Sequence, residues 1–190
     1  MTLSVTDEVA RLYRPDCPVE FIAVSDFKAR ILADPTWPLA CATRYLAARP
    51  SAWDLDCLAK RGDIAEDLLT EAAIKGYRRT PPGLARARYL QLPFLSTDTL
   101  RSLSDSNELE LRVALRHPQC PEQIVTRCLT SPRAAVRWSA LRAVRRRRLP
   151  IDSAYIRAAA DLPMTESAGG PTTGYRRRVE SVAKQILESR

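Results

Sequence analysis

The chain has 190 residues, 45% of them hydrophobic, and a formal net charge of +8 at neutral pH. That length and composition suit one globular domain with a continuous core. No apolar run approaches the roughly 18 residues of a membrane span, and the N-terminal MTLSVTDEVARLYRPD has early acids in place of an apolar signal region, so the expected setting is the cytoplasm.

In chain order, almost every segment carries helical periodicity. Val5, Val9, Leu12 and Tyr13 follow one helix face, and Pro15 and Pro18 end that helix. Phe21 to Leu32 reads as one apolar helix. Pro35 and Pro38 bracket the next break, and Leu39 to Ala48 resumes. Asp63 and Glu66 stand at capping-box spacing before a helix whose buried face takes Ile64, Leu68, Ala72 and Ala73. Tyr77, Arg78 and Arg79 read as a small basic turn before TPPG at Thr80 to Gly83. Leu84 to Leu92 is helical again, and Thr97 or Asp98 caps a short helix with Leu100 and Leu103.

The clearest pattern follows. Leu111, Ala114 and Leu115 line one helix, Ile124, Val125, Cys128 and Leu129 the next, and Val136, Ala140, Leu141 and Val144 a third. Three of the six glycines fall in SAGGPTTG, a flexible segment at 167–174. After it an amphipathic helix at 175–190 presents Tyr175, Val179, Val182, Ala183, Ile186 and Leu187 on one face. It is expected to cap the preceding repeats within the same domain, or to dock on a partner or a second copy.

One phrase occurs twice. RPDCPVEFI begins at Arg14 and HPQCPEQIV begins at His117, with Pro, Cys and Pro at the same offsets. "LRVAL" at Leu111 to Leu115 returns as VRWSAL from Val136, placing Arg112 and Arg137 in related positions. Such a period marks a helical repeat that stacks on its neighbours to bury its apolar face. Three proline pairs, Pro15/Pro18, Pro35/Pro38 and Pro118/Pro121, recur at helix boundaries. There a first-turn Pro loses no hydrogen bond, which is a simpler account than a polyproline ligand for an SH3-type domain.

These residues resemble the variant leucine-rich repeat family, best over Leu100 to Val144 and in degenerate form over Arg14 to Arg49. The resemblance implies an all-α fold: a right-handed α-solenoid of short HEAT-like helical repeats at 1–166 with a C-terminal capping helix. It implies no common activity. One branch of that family holds an iron–sulfur cluster on clustered N-terminal cysteines, which this chain lacks. Another group of HEAT-like solenoids comprises DNA glycosylases for alkylated bases, which use a basic face, aromatic residues and a catalytic Asp. No motif here fixes such an acid.

Candidate chemistry is sparse. The five cysteines include no CxxC and His117 is the only histidine, so they read as reduced core residues, and neither a metal site nor a cofactor is expected. A Cys120–His117 dyad is conceivable, but the equivalent pair in the first copy is Cys17 and Arg14. Asp54/Asp56 and Glu108/Glu110 read as surface and cap residues, and no catalytic residue is assigned. Trp37 and Trp53 read as packing between repeats.

The charge is the functional signal. Ten arginines and a single acid, Glu122, lie between Arg112 and Arg148. The candidate binding residues are Arg133, Arg137, Trp138, Arg142, Arg145, Arg146, Arg147 and Arg148. Guanidinium groups pair with carboxylate or phosphate, and Trp138 is placed to stack on a base. Alternatively Arg112 and Arg137 are inter-repeat packing residues, and the four consecutive arginines are solvated charge favoured at a helix C-terminus. The expected function is a non-catalytic interaction module holding an acidic partner protein, with DNA or RNA as the alternative partner and no membrane. Base excision ranks third, and self-association through the last helix is a further expectation.

Overall fold

The computed structural model describes residues 10–23, 25, 27–103, 107–165 and 172–189. Among them there is no β-strand; a single parallel bridge joins Arg133 and Thr165. The chain divides into two compact units, residues 1–81 with 92–94, and residues 82–91 with 95–190.

The first unit holds α1 (Val19–Ala23), α2 (Lys28–Ala33), α3 (Leu39–Ala47), α4 (Ala52–Ala59) and α5 (Glu66–Arg79). Helix α2 packs on α4, and α5 packs on both α3 and α4. Ile22, Ile31, Leu32, Trp37, Cys41, Leu55, Leu58 and Ala73 fill the core. Trp37 is fully buried, and its indole Nε1 donates to the Leu12 carbonyl at 3.0 Å, satisfying its one polar atom. Ser51 and Asp54 form the capping box of α4. Asp54 also takes an ion pair from Lys28 at 2.7 Å, so this carboxylate is buried and paired rather than a surface charge.

The second unit holds α6 (Leu84–Tyr89), α7 (Thr97–Leu103), α8 (Glu108–Ala114), α9 (Glu122–Leu129), α10 (Ala134–Arg147), α11 (Ser153–Asp161) and α12 (Thr172–Glu188). Helix α10 is the centre, packing on α8, α9 and α12, while α11 packs on α9 and α12. One apolar cluster runs through α9 to α12, from Ile124 and Val125 through Val136, Leu141 and Val144 to Ile156, Val179 and Ile186. The apolar face of α12 is thereby occupied within the chain. Val5, Val9 and the segment 167–171 lie outside the described residues, and α12 begins at Thr172, ahead of the expected Tyr175.

Several local expectations need correction. Phe21 to Leu32 is two short helices, because Lys28 and Phe27 turn back on Ser25: the amide of Lys28 donates to the Ser25 carbonyl, and that of Phe27 to the Ser25 hydroxyl. Asp63 caps nothing; its carboxylate accepts two bonds from Arg61 at 2.7 Å, and α5 starts after Ala65 with no side-chain cap. The buried face of α5 is set by Leu69, Ala72, Ala73, Gly76 and Tyr77, whereas Leu68 is exposed. Tyr77, Arg78 and Arg79 are the last turn of that helix, not a loop. Ser96, one residue ahead of the expected caps, accepts from the Thr99 amide. Trp53 is half exposed.

The proline phrases share one geometry. Pro18, Pro38 and Pro121 each stand immediately before a helix, α1, α3 and α9. Their fixed φ suits a helix start. The residue before each, Cys17, Trp37 and Cys120, is buried. The carbonyl of that residue in turn accepts an arginine N–H: Cys17 from Arg44 at 3.2 Å, Trp37 from Arg61 at 2.7 Å and Cys120 from Arg147 at 2.6 Å. The Cys17–Arg44 and Cys120–Arg147 separations are both 27 residues.

Arg137 makes the largest clamp of this kind. It is 1% exposed, and its guanidinium donates to the carbonyls of Ser131 (2.6 Å), Ala159 (3.1 Å), Leu162 (2.8 Å) and Pro163 (2.6 Å). Burial lowers its pKa from the ordinary arginine value. Its sequence counterpart Arg112 instead lies 3.9 Å from Glu108 on its own helix, so the two are not structural equivalents. Replacing Arg137 by Ala leaves four carbonyls without their charged donor and is expected to lower unfolding free energy by about 3–5 kcal/mol in urea melts. Arg137→Lys should recover less than half, since an ammonium cannot span four acceptors. A loss under about 1 kcal/mol for the Ala variant would contradict the clamp's role.

Candidate functional site

Helix α10 is buried around most of its circumference, and this decides which arginines meet solvent. Ala134, Ala135, Val136, Arg137, Ser139, Ala140, Leu141, Ala143 and Val144 are buried. What remains is a narrow stripe in which Trp138, Arg142 and Arg145 recur at i, i+4 and i+7, flanked by Arg146.

The eight predicted residues therefore separate. Arg137 is inside the protein, bonded to four carbonyls, and is removed from the binding surface. Arg147 is half-buried and reaches back to the Cys120 carbonyl. Arg146 is exposed, yet its Nη2 donates to the carbonyls of Leu115 at 3.2 Å and Arg116 at 2.8 Å. Arg145 donates to the Gln185 side-chain oxygen at 2.6 Å. Arg133 stands at the N-cap of α10, at the opposite end of the helix from Arg145 to Arg148, and lies 3.8 Å from Glu108. Arg148 ends α10 with φ 51°, a left-handed conformation that favours glycine; the Leu149 amide then bonds back to the Val144 carbonyl.

Trp138 is held rather than free. The Arg142 guanidinium lies over its ring at 4.9 Å and that of Arg178 at 5.6 Å, while the Tyr175 ring meets it at an edge, 5.9 Å between centroids. These contacts orient the indole, and Trp138 also lines the smaller of the two clefts beside it. Arg178 and Tyr175 come from α12, and nothing in the local sequence announces their meeting with α10. Arg116 was likewise missed as part of this surface.

Two clefts border the stripe. One, of about 210 Å³, is lined by Leu115, Arg116, Trp138, Ser139, Arg142, Ala143 and Arg146. The other, of about 600 Å³, is lined by Arg145, Arg148, Leu149, Pro150, Gln185 and Ile186, among others. No Asp or Glu lines either cleft. Among the described residues no ion pair joins Arg116, Arg142, Arg145, Arg146, Arg147 or Arg148 to a carboxylate. Among the described residues, the charge of this face thus has no carboxylate partner.

The thiols do not contribute chemistry to this face. All five cysteines are free and buried. Burial pushes the Cys120 thiol up to about 11 and the Cys128 thiol up to about 12, opposite to the shift of an activated nucleophile. The imidazole Nδ1 of buried His117 accepts from the Gln119 amide at 3.1 Å, which shapes the proline turn. Among the described residues no group of three or more His, Cys, Asp or Glu is placed to hold a metal ion, and no helix is long and apolar enough to cross a membrane.

No protein-family model matches this chain, and no curated protein or solved structure is similar enough to count as a match.

The raised thiol values carry a sign. The fold favours the neutral thiol, so this contribution is complete below the ordinary value of 9.0 and is lost as pH rises toward about 12. Urea midpoints measured between pH 8 and pH 10.5 are therefore expected to fall, and to fall less steeply in Cys128→Ala. Equal slopes in the two proteins would show that Cys128 makes no such contribution.

Proposed function

We propose that the protein is a non-catalytic interaction module that holds an acidic partner protein on the arginine stripe of α10. The observation that carries this reading is the absence of carboxylate partners, among the described residues, for the exposed arginines of that stripe and its clefts. An anionic surface would supply what the chain leaves unpaired. The commitment of Trp138 to Arg142, Arg178 and Tyr175 favours protein over nucleic acid, because sequence-tolerant binding of single strands relies on free aromatic faces. The lack of any acid in the clefts gives a base-excision mechanism no residue to work with.

We further propose that the helices belong to short HEAT-like or variant leucine-rich repeats. The shared proline–buried residue–proline–helix geometry, with its arginine donor, supports this reading in each unit separately. The five reduced thiols fit a cytoplasmic setting.

The test is binding of the intact chain to an acidic peptide, such as oligoglutamate, and to mixed-sequence oligonucleotides across a salt series. Binding to the peptide is expected to weaken at least about tenfold in Arg142→Glu/Arg145→Glu, a loss of about 1.4 kcal/mol or more. Tighter binding of oligonucleotide, with affinity falling steeply as salt rises, would replace this reading with the nucleic-acid one.

A further inference from the structure

We infer that the smaller cleft is a receptor for a phosphate monoester carried on a side chain of the partner protein, a phosphorylated residue rather than a plain acidic one. The inference rests on the reading of this face as a protein-binding surface and specifies the group that it takes.

Size is the first argument. The cleft encloses about 210 Å³, below the roughly 300–1,000 Å³ of pockets that take whole small molecules. A nucleotide is too large for it, whereas the end of one side chain fits.

Charge is the second. Three arginines, Arg116, Arg142 and Arg146, line this small space, and no carboxylate lines it. A single Asp or Glu carries one charge and two acceptor oxygens. A phosphate monoester carries about −1.5 to −2 at pH 7 and three acceptor oxygens, which matches three donors with planar forks far better. A nucleic-acid diester offers only one charge per phosphate.

Preorganisation is the third. Arg146 is tethered through its Nη2 to the Leu115 and Arg116 carbonyls, leaving the Nε and Nη1 hydrogens for a ligand. The Arg142 guanidinium is braced over the Trp138 ring, 4.9 Å from its centroid. Leu115 and Ala143 supply apolar lining. Arginines held in this way lose less side-chain freedom on binding, and clusters of this kind are a recurrent mode of phosphopeptide recognition.

The experiment follows the indole N–H resonance of Trp138 in the intact protein, assigned with Trp138→Phe. The probes are a short peptide with one phosphoserine, the same peptide unphosphorylated, inorganic phosphate and a single-stranded oligothymidylate. The phosphopeptide is expected to bind at least about tenfold more tightly than its unphosphorylated form. Its affinity should fall as pH drops through about 6, where the monoester gains a proton. Arg116→Gln and Arg142→Gln, which leave the Arg146 tether intact, should each weaken phosphopeptide binding several-fold, with Arg157→Gln, an exposed side chain on α11, as the unaffected control. Equal binding of the two peptides would overturn the inference while leaving the acidic-partner reading in place. Inorganic phosphate binding as tightly as the phosphopeptide would overturn the peptide assignment, and oligothymidylate doing so at equal phosphate concentration would overturn both.

Discussion

Arginine side chains bonded to main-chain carbonyls hold each unit of this protein in shape. Short helices have a particular difficulty: every one ends with carbonyls that no helical N–H can reach. With no sheet among the described residues, those oxygens need partners from elsewhere. A guanidinium, with five donors in a rigid plane, can serve several at once. Arg44, Arg61, Arg137 and Arg146 all do so, donating to loop or helix-end carbonyls well removed in sequence, and Arg147 reaches one such carbonyl. The carbonyl before each helix-starting proline is a fitting target. The proline ring supplies no N–H of its own and fixes the turn, so the oxygen's direction is set before the arginine arrives.

The same chemistry sorts structure from function. An arginine whose donors are saturated by carbonyls is a packing residue whatever its charge, and Arg137 shows the limit of that case. An arginine with one anchored edge and one open edge is different. Arg146 and Arg142 belong to this second class, the first anchored by carbonyls and the second by an indole. Their charge stays at the surface, but their geometry is set by the core. A basic surface is thus produced as an outgrowth of the same tethering that closes the fold.

The helical character, and the buried faces of α9, α10 and α12, could be read from spacing alone. Ile124, Val125, Cys128 and Leu129 repeat at 3.6-residue intervals and are buried together, as are Val136, Ala140, Leu141 and Val144. Periodicity failed where polar competition acted locally. The Ser25 turn split an apolar stretch into α1 and α2, and the claim of Arg61 on Asp63 moved the start of α5 and shifted its face from Leu68 to Leu69. At the candidate site, the arginine run was visible but its division was not. Whether an arginine reaches a carbonyl depends on residues more than twenty positions away, and Trp138 is fixed by α12. One signal was present and overlooked: Trp37 occupies in PTWP the place that cysteine holds in PDCP and PQCP, with an arginine following in each case.

The length of chain enclosed by these tethers has a bearing on how the protein reaches its folded state. The Arg61–Trp37 bond closes 24 residues, Arg44–Pro15 closes 29 and Arg146–Leu115 closes 31. Loop-closure entropy varies only slowly over such a range, by a few tenths of a kcal/mol. No single closure is therefore much harder to make than another, and none demands that distant parts of the chain first find each other. Assembly can begin at any one of several equivalent loops and spread to its neighbours, as in proteins of low contact order. The arginines thereby divide the chain into closures of similar length, each local on the scale of the 190 residues.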